Sequence, residues 1–161
     1  MEKRLFTYII LGMLAWAILG SVVAAYYFVK YDTYQREYSN LAQQLDSISF
    51  KANILLCYGN GTKVWYNNTV LPLGSTAFNA TYLIADEMSF IDYGGELGIL
   101  VTSINRVASN STHGWLYWHW DSGSSEWLLP DYSCAKYILH EGDTIAFTCS
   151  SYMTWPPPPP T

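Results

Sequence analysis

Residues 5–29 read LFTYIILGMLAWAILGSVVAAYYFV, and none of them carries a charge. At 1.5 Å per residue a helix of this length measures ~37 Å, more than the ~30 Å of a bilayer's hydrocarbon core. The stretch therefore predicts a transmembrane helix. It is longer than the about 7 to 15 apolar residues of a signal-peptide core, although Val23 and Ala25 before Tyr26 have the form of a cleavage site. It is also too uniformly apolar for a globular helix with one wet face. A retained anchor over 5–29 is the expectation, with 1–4 as a cytoplasmic tail.

Orientation is not set by charge, because Lys3 and Arg4 before the span are matched by Lys30 and Arg36 after it. Four Asn-x-Ser/Thr sequons, at Asn60, Asn67, Asn79 and Asn110, all follow the span. Such sites are glycosylated only outside the cytosol, so they favour an extracellular C-terminal domain on a cell-membrane protein. An Asn- and Thr-rich chain also produces some of these triplets by chance.

Past the span, Tyr27, Tyr31, Tyr34, Tyr38, Leu41, Leu45 and Ile48 recur at alternating steps of four and three, the spacing of a heptad seam. The same alternation carried backwards reaches Ala24, Gly20, Ala17 and Met13, so small residues extend the stripe into the span. A helical stalk over 30–50 follows. Self-association into a homo-oligomer and packing of an amphipathic helix on its own domain both fit it.

The 161 residues leave room for one further domain of ~100 residues. Hydrophobic residues make up 50% and charged residues 13%, against roughly 25% charged in ordinary soluble proteins, so the surface must be dressed in Tyr, Ser, Thr and Asn. A net charge of −5 and eight scattered Lys and Arg give no basic stripe, and a nucleic-acid partner is not expected.

From Lys51 the pattern turns to strands. Strands over 52–58 and 63–66 flank Gly59-Asn60-Gly61, whose Gly and Asn accept the positive φ of a hairpin turn. A helix starts at Ser75, carries Phe78, Tyr82 and Ala85 on one stripe, and ends near Asp86. A strand over 97–104, a hairpin of 115–120 with 126–129, and a last hairpin of 135–139 with 144–149 complete the order β-β-α-β-β-β-β-β. This is an α+β fold, a β-grasp-like mixed sheet with one covering helix, spanning 51–150.

Three runs in this region, Val101-Thr102-Ser103-Ile104-Asn105, Gly114-Trp115-Leu116-Tyr117 and Tyr137 to Phe147, resemble the domain of unknown function 4430 family. That family is similar to the C-terminal β-domain of transcobalamin and intrinsic factor. The resemblance covers roughly 51–150 and implies a ligand-binding rather than catalytic domain on secreted and surface proteins. The family commonly has Gly where this chain has Arg106, and the helical-barrel half of the vitamin site does not occur in the sequence. Cobalamin is thus implied by resemblance only, and no cofactor is expected.

Candidate acids and bases exist in His113, His119, His140, Asp121, Glu126, Glu141 and Asp143, but no spacing groups a nucleophile, base and orienter. No catalytic site is expected. Asp86, Glu87 and Asp92 lack calcium-loop spacing and the three cysteines make no zinc pattern, so no metal is expected either.

The candidate ligand site is aromatic. Trp115 and Tyr117 point to one face of their strand with His119, Trp118 and Trp120 to the other with Leu116, and Trp127 returns opposite them. A face left bare would be a platform for a flat or sugar-like ligand or a surface-protein partner; a face covered by the helix or the C-terminal arm would be core. Asn105 joins these as a candidate. In the last hairpin, pairing Tyr137 with Phe147 and Leu139 with Ile145 matches apolar with apolar and turns Cys134 and Cys149 to opposite faces, so no bridge between them is expected. Over 151–161, Trp155 and the run Pro156 to Pro160 predict a polyproline II arm of ~15 Å, a docking arm or spacer, with a solvated tail as the plainer reading.

Overall fold

The computed structural model describes residues 2–160, and side chains over 6–160. Met1, Thr161 and the side chains of Lys3 and Arg4 lie outside the described residues. The chain forms two compact units that part between Ser47 and Ile48.

The first unit is a single helix, α1, Glu2–Ile48. Its apolar half reaches a mean hydropathy of 2.1 and is long and apolar enough to cross a membrane. The predicted stripe lies on one unbroken helix, and Tyr27, Tyr31, Tyr34, Tyr38, Leu41, Leu45 and Ile48 are all 54% to 80% exposed. Arg36 pairs with Asp32 one turn back at 2.9 Å. Lys30 lies over the rings of Tyr26 and Tyr34. The helix stops at Ile48, so the stalk is two residues shorter than expected and the strand begins earlier.

The second unit is α+β. Strands β1, Ser49–Cys57, and β2, Lys63–Pro72, form the predicted hairpin, closed by Tyr58 N–H donating to the Thr62 carbonyl at 3.0 Å. Thr76 caps helix α2, Ala77–Ile84, by accepting from the Asn79 N–H at 3.2 Å. The helix buries Ala77, Ala80 and Thr81.

After α2 the expected order fails in two places. A separate three-stranded sheet forms from β3, Met88–Asp92, β4, Ile99–Ile104, and β5, Val107–Ala108. Only the middle one was anticipated, because β3 is almost wholly exposed and β5 is two residues long, and neither shows alternation. Strands β6, His113–Asp121, and β7, Glu126–Leu128, make the predicted hairpin.

The last hairpin does not exist. Strand β8, Thr144–Ser151, runs parallel to β1 and antiparallel to β6, giving the sheet order β2-β1-β8-β6-β7. Both edges of β8 are taken, so 135–139 has no place beside it. That segment instead spends its backbone at the start of α2. The Tyr137 carbonyl accepts from Ala77 N at 2.9 Å, and Leu139 N donates to the Ser75 carbonyl at 2.9 Å. The argument that Cys134 and Cys149 face opposite ways falls with the hairpin. Both sit in one core, and all three cysteines are free.

The main core lies between the five-stranded sheet and α2 with the small sheet. Ile54, Leu56, Trp115, Tyr117, Ile145 and Phe147 meet Ala77, Ala80, Val101 and Ile104 there. The alternate residues Leu55, Trp118 and Ala146 build a second cluster on the opposite face. The proline arm is not simply solvated. Pro157 and Pro160 are buried, while Pro156, Pro158 and Pro159 are exposed. Pro158 to Pro160 border a cavity of about 220 Å3 with Cys57, Lys63 and Thr148.

Between β4 and β5 the chain turns through Asn105 at φ 49° and Arg106 at φ 69°, both in the left-handed region. Asn tolerates this region, whereas a side chain such as that of Arg is strained there by about 1 kcal/mol. The Glu87 carboxylate, 3.7 Å away and solvent-exposed, offsets little of it. Arg106→Gly is therefore expected to stabilise the domain by about 1 kcal/mol. Urea unfolding of the full chain in detergent should show a higher midpoint at unchanged slope; a lower midpoint would mean that Arg106 makes a contact worth more than its backbone strain.

Candidate functional site

The residues picked out on β6 alternate as expected, but they do not make a bare platform. Trp115 and Tyr117 face the main core, and Trp118 is buried in the second cluster. Their polar atoms explain how large rings are held inside. Trp115 Nε1 donates to the Val107 carbonyl at 2.8 Å, and Trp118 Nε1 donates to Thr148 Oγ1 at 2.9 Å. Trp120 alone of the four is exposed, packed edge-on against Trp127 with ring centroids 5.4 Å apart.

Asn105 is a clamp. Its Oδ1 accepts from Asp86 N at 2.8 Å, and its Nδ2 donates to Tyr58 Oη at 2.7 Å, tying the β4–β5 turn to the segment after α2 and to the first hairpin. The four sequon asparagines are all exposed. At Asn60 and Asn110 the side-chain oxygen accepts from the N–H two residues on, Thr62 at 2.9 Å and Thr112 at 2.8 Å, an Asx turn that presents the amide outward.

The titratable groups are spread out and occupied locally. Asp121 accepts from Ser124 and Gly123 in its own turn, and these hydrogen bonds hold its carboxyl below the usual value. Glu141 accepts from Lys51 N at 2.8 Å, and Asp143 accepts from His140 N at 2.9 Å. Among the described residues no three His, Cys, Asp or Glu side chains are grouped as metal ligands would be.

What the topology does create is a cleft of about 140 Å3 between β4 and β6, floored by Trp115, Tyr117 and Phe147 and closed on one side by the segment 129–134. Ser133 anchors that segment by using its hydroxyl as a substitute strand: Oγ accepts from Ile99 N at 2.9 Å and donates to the Ile99 carbonyl at 3.1 Å. Gly98, at φ 64°, makes room for it, since a Cβ there would stand 2.6 Å from that of Ser133. Tyr132, Ser133 and Cys134 were not among the expected site residues. Nothing local marks them; they reach the cleft because the crossing from β7 passes beside β4.

Tyr117, 8% exposed, lies at the centre of this arrangement, its ring 5.7 Å from Phe147 and 5.9 Å from Tyr137. Its hydroxyl is buried and has no hydrogen-bond partner among the described residues. Burial raises its pKa far above the ordinary tyrosine value, and neighbouring Tyr132, Tyr137 and Cys134 add to the rise.

No family model matches this chain, and no curated protein matches it. Among solved structures it is similar to haptocorrin in complex with Cbi, at 11% identity and a TM-score of 0.48, over 63% of this chain and 25% of that one. It is also similar to a protein from Ruminococcus gnavus ATCC 29149 provisionally described as metal-binding, at 12% identity and a TM-score of 0.48, over 63% of this chain and 97% of that one. The chain thus spans a quarter of the length of the haptocorrin it matches.

Burial pushes the Cys134 thiol from its ordinary 9.0 up to about 11, with hydrogen bonds involving Ser133 and the nearby backbone pulling the other way. Below pH 9.0 the thiol is protonated in folded and unfolded chains alike, and its contribution to stability is complete. Between 9.0 and about 11 the unfolded chain loses the proton first, so stability declines through that window and the decline levels off above it. Cys57 and Cys149 are raised in the same direction by burial. Cys134→Ala should therefore shallow, without abolishing, the alkaline fall in urea midpoint. An unchanged slope would show that Cys134 ionises as an exposed thiol does.

Proposed function

We propose that this chain is a single-pass cell-surface protein, anchored by α1, whose extracellular C-terminal domain binds a ligand or partner and catalyses no reaction. The observation that carries the reading is α1 itself: its charge-free stretch is exposed throughout the described residues and sufficiently apolar to span a bilayer. The exposed sequons favour the outside for everything beyond Lys30. A β-grasp assignment of the domain is supported by its hairpin, helix and last strand laid parallel beside the first at the centre of the sheet. The engagement of Asp121 and Asp143 in their own turns, and of Glu141 by the distant Lys51 N–H, supports a non-catalytic domain.

This reading requires the domain to be shaved from intact cells by added protease, and the chain to carry glycans at Asn60, Asn67, Asn79 or Asn110 when made in a glycosylating host. A domain protected in intact cells and cleaved only after lysis would reverse the orientation.

A second reading, a structural subunit that assembles through its helix and tail, is favoured by the exposed heptad stripe and by its small-residue continuation at Gly20 and Ala24. Packing of small residues drives association in lipid, and burial of Tyr and Leu drives it in water. With Cys57, Cys134 and Cys149 replaced, single substitutions such as Gly20→Cys, Ala24→Cys, Tyr27→Cys, Tyr31→Cys, Tyr34→Cys and Tyr38→Cys should cross-link in membranes, whereas Ser21→Cys and Thr33→Cys should not. Uniform linking, or none, would remove this reading.

A further inference from the structure

Residues paired across neighbouring strands share a face of the sheet. On the face turned away from the main core, the registers set Lys63 opposite Cys57, Cys57 beside Thr148, and Thr148 opposite Leu116. The next row runs Trp65, Leu55, Ala146, Trp118. Helix α2 and the small sheet pack on the other side, in the main core.

The C-terminal arm meets this outer face. Pro158, Pro159 and Pro160 border one cavity with Lys63, Cys57 and Thr148 of the first row, and Pro157 and Pro160 are buried. A proline has no N–H to donate, so the run cannot join a strand edge, and its hold is ring packing. Fixed φ, together with the exclusion of helical ψ before each following proline, keeps the run extended before it docks, so little conformational freedom is lost on seating. Proline runs are recognised in this way on surfaces carrying aromatic rings. Trp65, two residues along β2 from Lys63 and 47% exposed, is such a ring beside the seat.

The seat is only partly filled from within the chain. Three of the five prolines remain exposed, and a space of about 220 Å3 is left where the run meets the sheet. Trp155, immediately before the run, is 79% exposed. Tyr152 is tied down, its N–H donating to the Thr112 carbonyl at 2.9 Å, and Met153 N donates to Ser151 Oγ at 3.1 Å. Thr154 and Trp155 beyond them are an exposed link. A neighbouring copy carries the same arm and the same seat, and exchange of an identical element preserves every contact at low cost.

We propose that the outer face around Cys57, Lys63 and Thr148 is a receptor for the proline arm of a second copy of this chain. The arm docks on its own domain in an isolated chain and on a neighbour's in an assembly, so that domains are linked tail to sheet. Anchoring in one membrane raises the effective concentration of arms at the seat.

The inference deepens the assembly reading given above and rests on it. Two differently tagged full-length chains, both with Cys134→Ala and Cys149→Ala, are made in one membrane. The first carries Pro159→Cys and Cys57→Ser, and the second keeps Cys57 and the native arm. A flexible bismaleimide then joins the two tags only from the arm of the first to the seat of the second, and a two-tag product is expected. Pro157→Asp with Pro160→Asp in the first chain should lower its yield by roughly tenfold, because charges replace buried rings. A synthetic peptide of residues 152–161 should lower it as well with neither chain further altered, which keeps the test valid if the doubly substituted arm misfolds.

A third chain holding both Cys57 and Pro159→Cys reports seating on its own domain as an internal link in the monomer. The internal link without the two-tag product would overturn exchange, and neither link would overturn the seat itself. A two-tag yield indifferent to both the aspartates and the peptide would mark random collision and also overturn it. The helical seam fails separately: links along Gly20 to Tyr38 without the two-tag product defeat the arm alone, and the two-tag product without those links defeats the seam alone.

Discussion

The parallel pairing of β8 with β1 is the constraint on which the rest of the domain depends. It sets Ile54 beside Ile145 and Leu56 beside Phe147, all nearly or wholly inaccessible, at the centre of the sheet. The opposite edge of β8 is filled by β6 over seven pairs from His113 to His119. A strand so placed has no free edge, and the segment that precedes it in sequence must go elsewhere. Residues 135–139 therefore hydrogen-bond to the start of α2, which holds the helix over the sheet. Residues 129–134 must then travel from the end of β7 past the β4 edge, and the cleft is the space that this route leaves incompletely filled.

The parts of the fold legible in the sequence are those whose partners are near in the chain or whose environment is uniform. The charge-free run over 5–29 and the alternating steps from Tyr27 to Ile48 required no tertiary knowledge, and both lie on one helix. The hairpins β1–β2 and β6–β7 were legible because Gly59 and Gly61, or the turn after Asp121, sit between alternating runs. Helix α2 was legible as an element, but its cap is Thr76 rather than Ser75, and it buries Ala77, Ala80 and Thr81 rather than the Phe78, Tyr82 and Ala85 stripe, since which face is covered depends on the sheet it meets. The parallel contact of β1 with β8 has no local signature, since the strands are some ninety residues apart, as the pair Asn53 and Thr144 shows. Without it, Tyr137 and Leu139 alternate as a strand would, and a hairpin with 144–149 is the natural local solution.

The site shows the same division. Alternation along β6 correctly separates Trp115 and Tyr117 from Trp118 and Trp120, because the pleat fixes it. Which rings end up covered is decided by distant elements: α2 and the small sheet over one face, and on the other a side chain such as Trp127 returning from β7. The arm at 156–160 illustrates the limit. The restricted φ of each proline follows from its ring, whereas the burial of Pro157 and Pro160 requires a surface for them to meet.

The described buried side-chain polar atoms find partners within the chain, with one exception. Thr81 returns its hydroxyl to the Ala77 carbonyl at 2.9 Å, Thr148 accepts from Trp118, and Ser133 bridges both backbone groups of Ile99. Each of these is a buried or half-buried group whose hydrogen bond is made inside the chain, as stability requires. Tyr117 has the same opportunity, with Tyr132, Tyr137 and Asp143 near enough to raise its pKa. None of them reaches its hydroxyl as a partner. Replacing that tyrosine by phenylalanine would fill the core equally well and leave no unpaired atom. The oxygen at position 117 thus costs the fold what a ring alone would not, and it is the exception to the pairing seen at Thr81, Thr148 and Ser133.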